Sequence, residues 1–172
     1  LDGQPSDEII IIKDSSIVSF HPNSIKNIKT KLLVKEGDSV KIGTPLFCDK
    51  KNEKALFVST CSGTVKSIVF GPRRVVETID IDNDGNNETE NIDNKIEREN
   101  LLKSGLWTSI RQKPYSKIPH FKSSPKSIFI SAMPTEPFAM NYEYLMGFID
   151  NYIQPGIDAL RTMFDCEINF IS

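Results

Sequence analysis

The chain has 172 residues, of which 38 % are hydrophobic and 26 % are charged, and its formal net charge is −2 at pH 7. This length is enough to bury one good core or two small ones, and the balance of charges excludes a basic nucleic-acid-binding protein. No stretch approaches the roughly 20 consecutive apolar residues of a membrane-spanning helix.

The beginning of the sequence predicts two short strands. The isoleucine-rich run at residues 8–13 and the run at residues 17–20 are both rich in β-formers, and a turn at residues 21–23 closes the second. The first residue, Leu1, is not a methionine, and no signal peptide follows it. We therefore expect a chain that begins inside a longer protein.

One pattern occurs twice between residues 34 and 68. In residues 34–46, apolar residues recur at short intervals around tight turns that begin at Gly37 and Gly43, and residues 55–68 repeat this arrangement around a turn at Ser62-Gly63. Short strands must follow one another in such a sequence, so the two halves predict matching β-hairpins.

The repeated pattern resembles the barrel-sandwich hybrid of lipoyl and biotinyl carrier domains. The matching positions are Gly37, Asp38, Val40, Gly43 and Leu46 in the first half and Ser62, Gly63 and Val65 in the second. A carrier attaches its swinging cofactor to a lysine at the hairpin tip between the halves, and Lys50, Lys51 and Lys54 lie in that stretch. A lipoyl- or biotinyl-type carrier and a merely solvated polar turn both stay open on these residues.

Residues 75–81 alternate as a half-buried strand does and are expected to complete a β-rich module over residues 1–82. Residues 83–94 are acidic and nearly devoid of apolar side chains, which predicts a flexible linker. The run from Asp80 to Gly85 looks like the first half of a calcium-binding loop, but Asn91 stands where a bidentate glutamate is required. No metal site is therefore predicted.

A short helix and a proline-rich segment are predicted after the linker, together spanning residues 95–125. Asp93 as N-cap and Gly105 as terminator frame the helix. Residues 104–119 then combine the single tryptophan, a tyrosine and three basic residues with two prolines. Such a segment is too rich in proline for one regular element and too aromatic for a disordered tail.

The last segment, residues 126–172, predicts an incomplete α/β domain. A buried-type strand at residues 126–133 is followed by a proline-containing turn at 134–137, a helical region at 143–162 interrupted at residues 154–156, and a final strand at 166–171. This order is the opening of a parallel α/β unit, and two strands alone would leave unpaired edges.

Six collinear blocks, at residues 34–40, 45–51, 62–65, 73–75, 104–119 and 128–133, resemble the A-subunit family of the sodium-translocating NADH:quinone oxidoreductase. The resemblance implies a location on the cytoplasmic face of the bacterial inner membrane, within a six-subunit respiratory complex that couples electron transfer from NADH to ubiquinone with sodium export. It also implies that FMN, FAD and a 2Fe–2S cluster reside on other subunits, that a membrane-embedded subunit is a partner, and that this chain stops early.

The α/β segment is further expected to be Rossmann-like and similar to the flavin-binding subunit of the proton-pumping NADH dehydrogenase. In that relative a glycine-rich loop admits the flavin phosphate, whereas here Gly105 is followed by Leu106 and Trp107. A single glycine beside two bulky residues cannot provide a cradle of bare backbone N–H groups. We therefore expect a domain that keeps the architecture and binds no FMN.

The candidate contact residues are Gly105, Trp107, Arg111, Tyr115 and Lys117. Aromatic rings beside cationic donors suit a quinone head group or an anchor against a membrane-embedded subunit, and a tryptophan can equally fill a core. These three roles stay open. The Arg73-Arg74 pair has no acidic partner nearby in sequence and is predicted to lie in a solvated turn.

No residue set predicts an independent active site. Cys48, Cys61 and Cys166 form no Cys-x-x-Cys pair, so their spacing indicates neither an iron–sulfur cluster nor structural zinc and fits a reduced, cytoplasmic setting. His21 and His120 each stand beside a proline, which favours loops. There is also no dinucleotide-binding glycine motif, so NADH oxidation is expected on another chain.

Overall fold

The computed structural model describes residue 10 and residues 15–93, 95–133 and 142–171. Its contacts divide the chain into two compact units. The first is Lys13–Ser123, and the second includes Ser124–Ser172. The strand predicted for residues 8–13 and the turn predicted for residues 134–137 lie outside the described residues, apart from Ile10.

The first unit is built on two antiparallel sheets. Its described strands are β1 (Ile17–Phe20), β2 (Thr30–Leu32), β3 (Ser39–Val40), β4 (Pro45–Asp49), β5 (Asn52–Val58), β6 (Gly63–Phe70) and β7 (Val76–Asn83). One sheet has the order β1-β7-β6-β3 and the other has the order β2-β4-β5. The predicted succession of short strands is thereby confirmed. The predicted pair of matching hairpins is wrong, because the turns at Gly43 and at Ser62-Gly63 each join strands of different sheets, and the hairpins are instead β4–β5 and β6–β7.

The core of this unit is formed by apolar side chains from strands of both sheets. Leu46 of β4, Val65 of β6 and Ile79 and Ile81 of β7 are all at most 1 % exposed. Burying side chains of this size contributes about 1.5–3 kcal/mol each. The two-residue periodicity that the sequence carries at residues 75–81 therefore reports a real buried face.

The Asp80 side chain connects β7 with both of its neighbours in the sheet, β1 and β6. The hydroxyl of Ser19 on β1 donates to one carboxylate oxygen at 2.7 Å, and that of Ser67 on β6 donates to the other at 2.8 Å. The Ser19 hydrogen bond is the main influence that holds the pKa of Asp80 below its ordinary value. Because ionised Asp80 is the better acceptor, the three-strand junction is strongest when this carboxyl is charged.

Residues 84–90 differ from the free linker that their composition predicts. The backbone N–H groups of Ile42 and Glu90 donate to the carbonyls of Glu88 and Ile42, each at 2.8 Å. The hydroxyl of Thr44 donates to the Glu90 carboxylate at 2.6 Å, and Lys41 pairs with Glu88 at 2.9 Å. A polar segment can thus be fastened by backbone pairing to an open edge without burying apolar surface. The domain boundaries drawn from the sequence stay predictions.

The predicted helix after the linker exists but is shorter. Helix α1 spans Arg98–Lys103, and Glu97 rather than Asp93 stands at its N-cap. The Asp93 carboxylate instead accepts the N–H of Lys95 at 3.3 Å, a local turn that competes with helix capping. As predicted, Gly105 follows the helix, and its φ of +79° is the left-handed conformation that ends helices.

The second unit contains a parallel pair of strands and a long helix. Strand β8 (Ser127–Ser131) pairs in parallel with β9 (Glu167–Ile171), and helix α2 (Tyr142–Met163) lies between them in sequence. The parallel pairing confirms the prediction of an α/β unit. No helix among the described residues combines the length and the apolarity required to cross a membrane.

The predicted interruption of the helical region at residues 154–156 is wrong, because α2 continues through Pro155. Proline removes one backbone hydrogen bond and usually breaks a helix. Here the inward positions 153, 157, 160 and 164 keep one helical phase across it, and Ile157 and Phe164 are buried. The continuous apolar face therefore outweighs the local effect of the proline.

Candidate functional site

Trp107 lies inside the first unit rather than on its surface. It is 1 % exposed, and its indole Nε1 donates to the Pro119 carbonyl at 2.8 Å. The guanidinium of Arg98 sits 5.2 Å from the centre of its ring, a cation–π distance. Among the three roles left open by the sequence, this burial favours the core-filling one. An aromatic wall that includes Trp107 is not formed.

Asn52 provides a second attachment of the same segment, and no pattern in the sequence singled it out. Its side-chain amide donates to the Pro119 carbonyl at 2.9 Å, while its oxygen accepts the backbone N–H of Phe121 at 2.9 Å. Asn52 is the first residue of β5 and is 6 % exposed. Residues 119–121 are therefore fastened to the β-module by one buried amide and one indole.

Gly105 lies directly against β5. A Cβ at this position would come within 2.7 Å of a Val58 methyl and 3.3 Å of the Leu56 carbonyl. Its N–H donates to Leu102, and its carbonyl accepts both the N–H and the hydroxyl of Thr108. A flavin phosphate needs unengaged N–H groups, so the backbone of Gly105 does not fit one. The absence of FMN stays a prediction.

The remaining candidate residues are exposed. Tyr115 is 77 % exposed, and Arg111 and Lys117 are also on the surface. Gln112 N–H donates to the Lys117 carbonyl at 2.7 Å, which closes a turn that carries Tyr115 at its outer part. The predicted set therefore separates into an inner pair, Gly105 and Trp107, and an outer group of three residues, which we call the Tyr115 turn: Arg111, Tyr115 and Lys117.

A groove of about 480 Å³ runs beside this segment. The residues that line it are Glu53, Lys54, Leu56, Arg98, Glu99, Leu102, Lys103 and Phe121. Two of its acidic groups have partners: Glu53 pairs with Lys31 at 2.9 Å and Glu99 with Lys103 at 3.1 Å. The Lys103 hydrogen bond lowers the pKa of Glu99. Since these charges are neutralised locally, the groove presents mainly apolar surface from two leucines and a phenylalanine.

Lys54 is one of the three cationic side chains that line the groove, with Arg98 and Lys103. Its ammonium nitrogen is 5.4 Å from the centre of the Phe121 ring, and Lys122 approaches the same ring at 5.6 Å. Phe121 is partly buried, so one part of the ring stays available. The groove therefore suits an aromatic or quinoid head group better than a multiply charged ligand.

Lys50 and Lys51 form the two-residue turn between β4 and β5. Both are exposed, whereas Lys54 lies further along β5. Lys50 N–H donates to the Lys29 carbonyl, and the Asp49 carboxylate accepts the N–H of Lys51 at 3.2 Å. The tip has the location that a carrier lysine would take, and Lys50 and Lys51 fit it better than Lys54.

The described part of the chain contains no assembled site for thiol or metal chemistry. Cys48 and Cys61 are buried, and burial is the main effect that raises the pKa of each thiol. Both therefore stay protonated at neutral pH and are poor nucleophiles and metal ligands. The residues that the structure describes include no cluster of three or more histidine, cysteine or acidic side chains able to hold a metal ion.

Comparison with known families adds an independent observation. Residues 1–84 match the model described as the NqrA N-terminal barrel-sandwich hybrid domain, and residues 92–172 match the NqrA second alpha/beta domain. The chain belongs to the NqrA family. The predicted barrel-sandwich hybrid is thereby confirmed, and the second NqrA domain is an α/β domain as expected. The finer similarity to the flavin-binding subunit stays a prediction.

Individual NqrA relatives, each the A subunit of a Na(+)-translocating NADH-quinone reductase, agree with this assignment. The chain is 32 % identical over 185 residues to the relative from Pseudomonas aeruginosa (strain UCBPP-PA14), in an alignment that covers 100 % of this chain and 42 % of the relative. It is 34 % identical over 152 residues to that of Yersinia pseudotuberculosis serotype O:1b, covering 83 % and 34 %. For Saccharophagus degradans the identity is 38 % over 146 residues, covering 79 % and 32 %.

The chain thus spans about two fifths of the length of the curated relatives it matches. The family boundary and the structural boundary also differ. The second NqrA domain begins at residue 92, whereas the contacts keep residues up to Ser123 with the β-module. The family model therefore assigns residues 95–123 to the second NqrA domain, whereas in the structure these residues pack with the β-module.

Proposed function

We propose that this chain acts as part of the NqrA component of a Na⁺-translocating NADH-quinone reductase complex, on the cytoplasmic side of the membrane. In that complex NADH oxidation and ubiquinone reduction drive sodium export, with FMN, FAD and a 2Fe–2S cluster on other subunits. The observation that carries the proposal is the match of two successive NqrA domains over nearly the whole chain. The chain itself contributes binding surface rather than an active centre.

The Tyr115 turn is proposed as a contact with another subunit of the complex, in particular a membrane-embedded one. Tyrosine and arginine are the residues that most often dominate protein interfaces. Here Tyr115 is 77 % exposed on a turn held by its own backbone bridge, so it is available without rearrangement of the core. Trp107 cannot serve as this anchor because it is already buried.

The contact is tested by alanine substitution of the three residues of the Tyr115 turn in a tagged protein. Affinity purification from cells that make the complex should recover at least about tenfold less of the partner subunits, since one lost interface anchor costs about 2 kcal/mol or more. Substitution of Lys50 and Lys51 by glutamine is the matched control, because it also alters exposed charge on a turn of the same unit. Equal recovery of partner subunits with the unaltered protein, the alanine variant and the lysine control would reject the contact.

A ubiquinone contact is proposed for the groove beside Phe121. Its support is the concave, mainly apolar lining with Lys54 close to the ring. The test is ligand-observed NMR with a short-chain, water-soluble quinone. Saturation transfer should occur with the unaltered protein and decline after Phe121→Ser, whereas the Tyr115→Ala control should behave like the unaltered protein. Transfer that is unchanged in the Phe121 variant would place quinone elsewhere.

The alternative function is a lipoyl- or biotinyl-type carrier, favoured by the position of Lys50 and Lys51 at the β4–β5 turn. The intact mass of the purified protein separates the two functions. A component of the reductase keeps the mass given by its sequence, whereas a carrier gains one lipoyl or biotinyl group that disappears on replacement of the modified lysine. Observation of that added mass would replace the proposed role in the reductase.

A further inference from the structure

The hairpin end between β6 and β7 has an unusual backbone. Arg73 and Arg74 both have a φ of +57°, a conformation that glycine and asparagine adopt readily and that other L-residues rarely adopt. Short hairpin turns that need this conformation usually contain Asn-Gly. Two successive arginines at such positions lower the stability of the turn, which points to a use for their side chains.

The same hairpin end exposes apolar side chains, and we call residues 69–75 the arginine hairpin. Val69, Phe70 and Val75 are 44 %, 47 % and 48 % exposed. The guanidinium of Arg74 lies 5.9 Å from the centre of the Phe70 ring. An exposed phenylalanine and two valines therefore flank two cations at the tip of one hairpin.

The two arginines also lack the partners that other cations of this unit have. Lys31, Lys41 and Lys66 each pair with a carboxylate at 2.9 Å. Neither Arg73 nor Arg74 lies within ion-pair distance of a carboxylate among the residues that the structure describes. The Glu77 side chain packs against Gly71 at the base of the hairpin and forms no ion pair with either guanidinium. The tip therefore carries two cations that form no ion pair with the described residues.

We propose that the arginine hairpin is a contact with the anionic phospholipid surface of the membrane. Phe70 and the two valines would enter the interface, and the arginines would bind phosphate groups, for which the planar guanidinium is suited. A protein partner would have to supply further contacts around this tip, because a stable protein interface buries at least about 1,000 Å² in total. A lipid surface, in contrast, accepts an isolated tip that combines apolar and basic residues.

The size of the effect follows from the charge. Each arginine near an anionic leaflet contributes about fivefold to partitioning, so the pair contributes about 25-fold. The attraction is electrostatic and must weaken as salt is added. The contact is therefore a weak orienting one, which needs other interactions of the complex for stable attachment.

The test is cosedimentation of the purified protein with two kinds of vesicle, pure phosphatidylcholine and equal parts of phosphatidylcholine and phosphatidylglycerol. Binding should require phosphatidylglycerol and fall about 25-fold in R73Q/R74Q. The variant K50Q/K51Q removes the same charge from another exposed turn and should bind almost as well as the unaltered protein. Phe70→Ser should bind more weakly without any change in charge.

A variant whose turn residues suit the left-handed backbone conformation separates an effect on binding from an effect on folding. Replacement of Arg73 by Asn and Arg74 by Gly should raise the midpoint of thermal unfolding and still abolish the preference for phosphatidylglycerol. Equal losses in the arginine and lysine variants, or no binding to either vesicle, would overturn the proposal. Unchanged vesicle binding with loss of partner subunits in R73Q/R74Q would also overturn it and assign the hairpin to a protein. Because the vesicles contain no protein, the result of the vesicle experiment does not depend on the proposed role in the reductase.

Discussion

Replacement of Asn52 by alanine should destabilise the first unit far more than its polar, turn-adjacent position in the sequence implies. The change removes the acceptor of the Phe121 N–H and one donor to the Pro119 carbonyl. Pro119 keeps its hydrogen bond from Trp107, whereas the Phe121 N–H loses its partner in a partly buried place. An orphaned N–H costs about 1–2 kcal/mol and the second bond about 1 kcal/mol, so we expect a loss of about 2–3 kcal/mol.

Urea denaturation followed by tryptophan fluorescence is the appropriate assay, because Trp107 shares the Pro119 carbonyl with Asn52. Asn83→Ala is the matched control. Asn83 also makes two side-chain hydrogen bonds, to Ser15 and Gly85, but in an exposed place where water can replace them. The control should cost about 1 kcal/mol or less. Equal losses of unfolding free energy in the two alanine variants would refute the argument that the burial of the Asn52 hydrogen bonds makes them important for stability.

Asn52→Asp sharpens the same test without changing side-chain volume. The carboxylate retains an acceptor for Phe121 but places an oxygen without a hydrogen opposite the Pro119 carbonyl. This variant should be less stable than the unaltered protein near neutral pH and should recover part of the difference in mild acid, when a protonated carboxyl can donate again. A variant whose deficit is the same at both pH values would contradict the assigned direction of the hydrogen bonds.

Three further predictions concern the backbone and one carboxylate. Gly105→Ala should lower the free energy of unfolding by about 2–4 kcal/mol, because the left-handed φ and the close Cβ contact both oppose a side chain. Gly37→Ala should lower it by only about 1–2 kcal/mol, because Gly37 has a φ of +87° but no atom within 4 Å of the added Cβ. Urea midpoints that do not differ between the two variants would contradict this. The Asn-Gly replacement of Arg73 and Arg74 should raise the free energy of unfolding by about 1–3 kcal/mol, and a lower value would show that the arginines do not strain the turn. The native pKa of Asp80 is lowered from 3.8, so this carboxylate stabilises the fold above that pH and loses its contribution as the pH falls through the lower native pKa. Asp80→Asn should therefore reduce the loss of stability that the protein shows at acid pH. An unaltered loss of stability in acid would exclude this role.

The β-module could be predicted from the sequence because its signals are local. Although the division of the strands between two sheets is not local, the glycines at positions 37, 43 and 63 and the alternation in β7 are local signals that mark where short strands begin and end. The same holds for the left-handed glycine after α1. These features do not depend on what the rest of the chain does.

The site was less predictable because its contacts are distant in sequence. Asn52 meets Pro119 and Phe121 across separations of 67 and 69 residues, and no local pattern announces such a pairing. The burial of Trp107 and the continuation of α2 through Pro155 are likewise decided by packing. From the sequence, Asn52 is only one polar residue of a lysine-containing turn, so nothing distinguishes it from its solvated neighbours.

The polar segment before α1 illustrates a limit of predictions made from composition. Composition predicted a free linker at residues 83–94, but the backbone of Glu88 and Glu90 pairs with Ile42 at an edge that the short strand β3 leaves open. Composition measures only what side chains can bury, whereas backbone groups can pair regardless of side-chain polarity.

Affinity purification of the tagged, unaltered protein from cells that make the respiratory complex tests the central claim most directly. The preparation should contain the other reductase subunits and oxidise NADH with a quinone as acceptor, and the tagged chain should have its unmodified mass. A tagged chain recovered without those subunits and bearing a lipoyl or biotinyl group would contradict the account.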